Sequence, residues 1–505
     1  MGPVKRVLLG SAAGVFAVAG AQAADLPVKA KPVEYVKVCS LYGAGFWYVP
    51  GTDTCIKVGA YTKLDVNYNA SGNGAWVGGG GGGSIDTGGR QTRTDTANFN
   101  FRARGVASFD MRTQTEYGTL RSYLDVGAQL QTNAANVSTA PVTGASAIYS
   151  SRAFLQFAGF TAGRIRSFFD MFNPGNYNIV QNRFNGDTNA NGIAAIAYTW
   201  QFGGGLSASL SLEDGGFATG GHGRSTANLN NPNSFTVGGS EQSDVKGEQF
   251  FDPVFNLRLD QAWGFVGVSA ALHDASGGYF GTAAGAETTG HPGDKFGWAV
   301  AGSFTLTNPF GLQGDTVGAM GVFSRGAVGY AISNWGPQVV FKGNSVGLGF
   351  SADGVYSGLI GNGTASALEL TDAWSFNGAY EHRWDPKWRT SIYGGIGGVN
   401  FNGNAKAQIC ANPATPLGFG GVAAGLTGVT NCNPNWSGSQ LGSRTLWNPV
   451  PDVDVAVDVQ WIHIDTAFAG TATLPATGAK PAGIYSISNQ DAVSAFFRIQ
   501  RNFLY

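Results

Sequence analysis

Charge is scarce in this chain: Asp, Glu, Lys and Arg together make up 12% of its 505 residues, against about 25% in an ordinary soluble domain. No basic block or basic–aromatic cluster stands out, so the footprint of a nucleic-acid binder is missing. The five histidines lie far apart, at 222, 273, 291, 382 and 463, and suggest no nucleophile–base constellation for covalent catalysis. The four cysteines include no C-x-x-C pair, which argues against a metal centre. The run Gly78–Gly83 lacks the Lys-Ser/Thr pair and the strand context of a phosphate loop. It reads as a flexible connection, and no nucleotide or other cofactor is expected. Beyond the first two dozen residues, no apolar run approaches the roughly 20 residues that a membrane-spanning helix needs.

What the chain has instead is glycine, 78 residues of it, with 12% aromatics and 43% hydrophobic residues dispersed along its length. That mixture suits an all-β transmembrane barrel, in which each strand carries one lipid face and one lumen face. Residues 1–23 read as a secretory signal. Lys5 and Arg6 precede the apolar stretch Val7–Ala19, and Ala21-Gln22-Ala23 supplies a small-x-small cleavage site. Losing those two cations takes the formal net charge from −1 to −3. After export the cysteines meet an oxidising compartment, where an even count suggests disulfides. Four cysteines allow three connectivities; the local pairing Cys39 with Cys55 and Cys410 with Cys432 is favoured. Each loop so closed would be stabilised by about 3 kcal/mol in the chain-entropy view. Residues 24–55 are then a disulfide-tied lead-in, and 56–505 the barrel.

Period-two strands follow. Ile56–Asn69 is the first. In Ala97–Arg112, Asn98, Asn100, Arg102 and Arg104 share one face, with Phe99, Phe101 and Ala103 on the other. Thr119–Gln131 returns with Arg121 and Asp125 opposite Leu120, Leu124 and Val126. Ala153–Asn173 reads as two short strands about a tight turn at Gly159-Phe160, then departure into a long Asn/Gly/Pro-rich loop. Residues i and i+2 of a strand share a face, so Arg152, Arg164 and Arg166 are expected to point the same way. Later strands are Ile193–Phe202, Leu206–Glu213, Val254–Trp263, Phe265–Asp274, Lys295–Thr307, Thr316–Tyr330, Leu368–Trp384, Trp388–Phe401, Leu441–Trp447, Asp452–Ala467 and Asp491–Tyr505. The connection 331–367 holds VGLGFSADGVYS, a hairpin or an extra strand pair. The aspartates of Asp452–Ala467 read as plain lumen solvation. Trp200, Trp384, Trp388 and Trp461 suit a membrane-interface girdle or packing against a neighbouring subunit. The count is sixteen, even, with short turns alternating with long loops; a barrel of that size encloses a water-filled channel.

Several segments resemble the alphaproteobacterial porin family of general outer-membrane diffusion porins. They are AADLPVKAKPVEYVKVCSLYGAGFWYVPGTDTCIKVGAY, EYGTLRSYLDV, AFLQFAGFTAGRIRSFFD, WNPVPDVDVAVDVQWIHIDTAFAG and the C-terminal aromatic strand. The resemblance implies a 16-stranded antiparallel transmembrane β-barrel with long extracellular loops and a third loop that constricts the pore. It also implies a homotrimer in the outer membrane of a Gram-negative bacterium, in contact with lipid and lipopolysaccharide and assembled by the barrel-insertion machinery. The solutes would be ions and small hydrophilic molecules crossing by passive diffusion. By position the third loop is 170–191. Constriction roles pass to Asp170 and Asp187 on the loop and to Arg102, Arg104, Arg121, Arg152, Arg164 and Arg166 on the wall. Phe503 and Tyr505 resemble the C-terminal insertion signal of such barrels.

Opposed lumen charges would orient dipolar solutes and select ions. The arginine wall favours anions and the net charge favours cations, so the sign of selectivity stays open. The alternatives are a substrate-specific channel, for a sugar or an anion, and more remotely a barrel adhesin or enzyme. Saturable flux would mark a specific channel, flux linear in concentration a general porin.

Overall fold

The computed structural model describes residues 37–68, 99–131, 147–179, 184, 192–215, 222–230, 236–237, 244–281, 285–332, 338–358, 365–411, 418–419, 428–474, 476 and 481–503. Sixteen antiparallel strands form the wall. β1 is Thr54–Tyr68, β2 Phe99–Thr115, β3 Gly118–Gln131, β4 Ala153–Phe157, β5 Phe160–Ile165 and β6 Ile193–Gly203. β7 is Leu206–Glu213, β8 Asp252–Gln261, β9 Gly264–Asp274, β10 Phe296–Thr307 and β11 Thr316–Arg325. β12 is Asp372–Arg383, β13 Trp388–Asn400, β14 Trp436–Trp447, β15 Val453–Thr466 and β16 Gln490–Phe503. Each pairs with its sequence neighbours, and β16 closes on β1 in register from Ala60↔Phe503 to Tyr68↔Ala495. The result is a closed 16-stranded antiparallel barrel.

The alternation within each strand is inverted relative to a water-soluble protein. Outward positions are exposed and apolar, as in Leu257, Val266, Val268, Val300, Phe376, Ile392, Leu441, Val457, Val459 and Ile499. Inward positions are small or polar and buried, as in Ser209, Ser211, Asn256, Ser269, Ser303, Ser375, Ser391, Gln440 and Gln460. Water on the outside would not favour that pattern; hydrocarbon outside and water or folded loops inside would. Exposed rings of Tyr117, Phe160, Phe202, Trp263, Phe310, Trp384, Trp388 and Trp447 sit at the ends where the short turns lie. They form the aromatic girdle of one membrane interface. No helix among the described residues is long and apolar enough to cross a membrane; the strands do the crossing.

Turns at that end are tight. At Gly264 the backbone has φ +129°, and a Cβ there would lie 1.9 Å from the Thr305 carbonyl oxygen, so only glycine fits. The long connections gather at the other end. Two strand limits differ from the sequence expectation by five residues. The eleventh strand stops at Arg325, because the chain then turns into a short helix, Val328–Ala331, whose residues are all buried. Its apolar letters continue for the sake of a loop core, not of lipid. The fourteenth begins at Trp436 and not at Leu441, because Ser437 and Ser439 occupy outward positions and break the apolar alternation. In the connection 331–367 the hairpin Gln338–Lys342 with Ser345–Gly349 packs inside the wall: Gly347 approaches Gln490 and Ile464, and Gly349 approaches Trp436. It adds no strand to the barrel. Disulfides join Cys39 to Cys55 and Cys410 to Cys432.

Among the short turns, the one before β11 is fixed by Asp315. Its carboxylate, 1% exposed, accepts from Tyr380 Oη at 2.5 Å, His382 Nδ1 at 2.8 Å and the Arg383 amide at 2.9 Å. Burial works to raise its pKa, but the hydrogen bonds from His382, Tyr380 and Arg383 outweigh this and hold it below the usual 3.8. A folded-state pKa below the unfolded one means stabilisation that is present above the unfolded value and lost as pH falls through the folded one. Asp315→Asn should therefore lower the temperature at which the folded gel band converts to the unfolded band at about pH 7, and the gap should shrink as pH falls below the ordinary 3.8 and through the depressed folded-state value. An unchanged gap at low pH would contradict this origin of the stabilisation.

Candidate functional site

The third long connection, 166–192, leaves β5 and turns inward along the wall. Glu213 on β7 takes its first residues: the carboxylate accepts from Ser167 Oγ at 2.6 Å and from the Phe168 amide at 2.9 Å. Asn256 Nδ2 on β8 donates to the Phe168 carbonyl at 2.7 Å, and Ser269 Oγ on β9 to that of Phe169 at 3.0 Å. Arg166 donates to the Phe172 carbonyl within the loop. Further on, Ser391 Oγ on β13 donates to the Tyr177 carbonyl, Arg444 on β14 to that of Asn176, and Asp458 on β15 accepts from the Ile179 amide at 2.7 Å. Each neutral bond contributes about 0.5–1.5 kcal/mol net, more where a charge is involved.

Side chains complete the seating. Lumen-face glycines act as sockets: a Cβ on Gly267 would meet Met171 at 2.7 Å, one on Gly318 would meet Phe172 at 2.7 Å, and one on Gly397 would meet Phe184 at 2.6 Å. Phe169, Phe172, Tyr177 and Phe184 join a buried cluster with Val328, Tyr330, Phe350 and Val355 from the long connection after β11. The barrel interior from β8 to β15 is thus dressed with folded chain.

Across the ring stands a basic wall on β16, β1, β2 and β3. Asp65, with no exposed surface, holds Arg102 at 2.6 Å, Arg498 at 2.6 Å and Lys63 at 3.6 Å. Arg104 forks onto Gln129 Oε1 at 2.6 and 3.1 Å. Three arginines, a lysine and one aspartate therefore share this patch of lumen. Nearer the short turns, Arg112 and Arg121 both fork onto Asp110, and Arg121 Nη1 also donates to Gln156.

Of the residues expected at a constriction, Arg102, Arg104 and Arg121 all have inward parity, but only Arg102 and Arg104 lie at the Asp65 patch; Arg121 is paired with Arg112, eight residues beyond Arg104 on β2. Arg152 has inward parity at the start of β4, its main chain bound to Asp125. Arg164 does not share that direction. It pairs with Ala153 and Ala194, on the parity of the exposed Leu155 and Ile196, so it faces outward. The i, i+2 rule relates Arg164 to Arg166, but β5 ends at Ile165 and Arg166 turns into the loop. Across the turn, register and not spacing decides the face, and it sets Arg152 and Arg164 on opposite sides. Asp170 does not face the basic wall either. It is 4% exposed and lies 3.2 Å from His222 Nε2, under the ring stack of His222 and Tyr330. Asp187 and Tyr505 lie outside the described residues; Phe503 is the last seam residue, paired with Ala60.

Sequence reasoning missed Glu213, Asp458 and Arg498. Asp458 in particular is no lumen-solvating carboxylate: it is fully buried, taking the Ile179 amide and the Tyr393 hydroxyl. Its alternation marked the inward face, but nothing local marked a partner 279 residues away. The letters G-x-S-x-G, familiar from serine hydrolases, do occur once, at Gly343–Gly347. Ser345 there opens a hairpin strand, donates to the Lys342 carbonyl and accepts from Gln490 Nε2. The strand-to-helix elbow and the histidine partner of such an enzyme are not formed at that serine among the described residues.

A closed barrel with an apolar exterior, an aromatic girdle and a loop tethered inside a basic interior defines an outer-membrane β-barrel protein. The family described as the Porin subfamily matches residues 25–496, and the chain belongs to it. Porin Omp2b of Brucella suis is 32% identical over 224 residues, 43% of this chain and 54% of that protein. Porin Omp2b of Brucella abortus strain 2308 is 32% identical over 225 residues, 43% of this chain and 56% of that protein. The chain thus spans about half the length of the curated relatives it matches. The crystal structure of the outer membrane channel DcaP of Acinetobacter baumannii superposes with a TM-score of 0.51 at 12% identity, covering 90% of this chain and 99% of that one. That likeness shows the fold. The protein is a multi-pass β-barrel of the outer membrane.

The glycine sockets generate a test. Gly397→Val places a side chain where the Phe184 ring lies 2.6 Å from a Cβ, an overpacking that costs about 1–3 kcal/mol. The barrel should still migrate as a folded, heat-modifiable band, while its single-channel current becomes noisier as the loop leaves its seat. A quiet current identical to that of the natural chain would show that Gly397 does not seat the loop.

Proposed function

We propose that the protein is a general porin: a water-filled channel for passive diffusion of ions and small hydrophilic solutes, working as a homotrimer. The observation that carries this is the tethered third loop facing the Asp65-centred basic wall inside a closed barrel. On this reading the loop narrows the passage and the basic wall lines what is left of it. Arg102, Arg104 and Arg498 surround one carboxylate, so their field in a low-dielectric wall attracts anions. Arg121 and Arg152 extend the same inward face toward the short-turn end and the third-loop end. Arg166 serves by fixing the loop.

Two short strands support the trimer. β4 and β5 have 5 and 6 residues, below the roughly 9–11 needed to cross a bilayer, and a neighbouring wall would cover the gap.

Purified trimers in a planar bilayer should open in steps that close in threes. In a salt gradient the reversal potential should report anion preference. Sugar flux into liposomes should rise linearly with concentration. The double variant Arg102→Gln, Arg104→Gln should lower the anion-to-cation permeability ratio by roughly twofold or more. Saturable flux would replace this reading with a substrate-specific channel; absence of conductance from folded protein would end it.

A further inference from the structure

The short-turn mouth of the lumen carries a second polar constellation, separate from the Asp65 patch. The disulfide-tied segment before β1 folds back over this end of the wall: Cys39 is bonded to Cys55, and Trp47-Tyr48 pairs with Ile56-Cys55. That brings Tyr42 and Phe46 onto Arg112, whose guanidinium lies 5.6 Å from the Tyr42 ring centre and 4.9 Å from that of Phe46. Arg121 is flanked in the same way by Tyr123 at 5.6 Å and Phe154 at 5.3 Å. Each guanidinium thus lies against a pair of rings that also contact each other, Tyr42 with Phe46 at 5.8 Å and Tyr123 with Phe154 at 5.3 Å between ring centres, and cation–π contact helps hold it.

Tyr42, Arg112, Thr119, Arg121 and Gln156 line a recess of about 260 Å³. Two features of it are unexplained by the barrel. The Tyr42 hydroxyl is shielded from solvent and has no hydrogen-bond partner among the described residues; leaving such a group unmade costs about 1–3 kcal/mol. And two arginines face a single carboxylate, Asp110, with Lys57 paired beside it in the ladder, so the recess keeps a positive excess. Nε and Nη2 of Arg112 are engaged by Asp110, and its Nη1 makes no hydrogen bond among the described residues.

We propose that this recess is a binding subsite for a small oxyanion, phosphate or carboxylate in chemistry, seated by Arg112 and Arg121 with the Tyr42 hydroxyl as a donor. The N-terminal disulfide is what keeps Tyr42 over the site. The channel reading explains only how a solute arrives there; binding itself does not depend on it.

Inorganic phosphate is the probe. The folded full-length protein in detergent micelles is titrated calorimetrically at fixed ionic strength, with chloride as the balancing anion. Saturable binding at one site per chain is expected. Tyr42→Phe removes an oxygen with no partner in the fold, so the barrel keeps its heat-modifiable band while phosphate affinity falls roughly three- to tenfold, the worth of one hydrogen bond. Arg112→Gln should remove measurable binding. Binding unchanged in both variants but lost in Arg102→Gln would place the site at the Asp65 patch and overturn the proposal. Absence of saturable binding to the natural chain would overturn it as well. Neither result bears on conductance, so the channel reading is tested apart.

Discussion

A polypeptide surrounded by hydrocarbon has no water to satisfy its backbone, and that requirement organises this molecule. The seam between β1 and β16 is where it is met: without the pairing of Ala60–Tyr68 with Ala495–Phe503 the wall would have two open edges in lipid. Closure in turn fixes which parity faces inward on every strand. Asp65, Arg102 and Arg498 come together because the seam aligns β16, β1 and β2. Residues at 65, 102 and 498 meet nowhere else in the chain's logic.

Inside the wall the polar residues serve two different ends. On the β7–β15 side they act as hydrogen-bond partners for inward-folded chain, with Glu213, Asn256, Ser269, Ser391, Arg444 and Asp458 each taking a group of the third loop. Burial of these six is tolerable because each has such a partner. On the β16–β3 side they form charged clusters. The same inward parity thus yields a seat for a loop on one half of the ring and an electrostatic surface on the other. A second interior network ties the connection after β11 to the wall: His273 on β9 lies 2.6 Å from Asp252 on β8 and 3.3 Å from Asp353, and Tyr330 donates to Asp252 at 2.9 Å. Burial and the neighbouring Asp252 and Glu213 charges push the Tyr330 hydroxyl well above its ordinary pKa, so it stays a donor.

Much of the fold was legible in the sequence because lipid imposes a period of two on every strand. Sixteen strands and the tight turns followed from that alternation; the inward loop followed from its length and Asn/Gly/Pro composition together with the family resemblance. It failed where apolar or polar letters had another cause. Val328–Ala331 are apolar because they pack in a loop core, so the eleventh strand was read too long. Ser437 and Ser439 face outward without an apolar signal, so the fourteenth was read too short. The candidate site was legible only on its wall. Arg102, Arg104 and Arg121 follow from parity alone, whereas Arg164 depended on the register across the β4–β5 turn. Asp170 depended on a contact with His222, 52 residues on. Long-range pairings of that kind leave no mark in local spacing.

All four cysteines are in disulfides, so an introduced cysteine is the molecule's single thiol and reports directly on the passage. The most direct measurement is the current through channels carrying Arg104→Cys, in a planar bilayer, before and after a negatively charged thiol-reactive methanethiosulfonate is added. If the basic wall lines the conducting path opposite the third loop, modification replaces a cation with an anion there. Conductance should then fall in three discrete steps, with anion preference declining at each. A reagent that leaves both conductance and reversal potential unchanged, with modification verified by mass, would mean that ions do not pass Arg104 and that the passage lies elsewhere in the barrel.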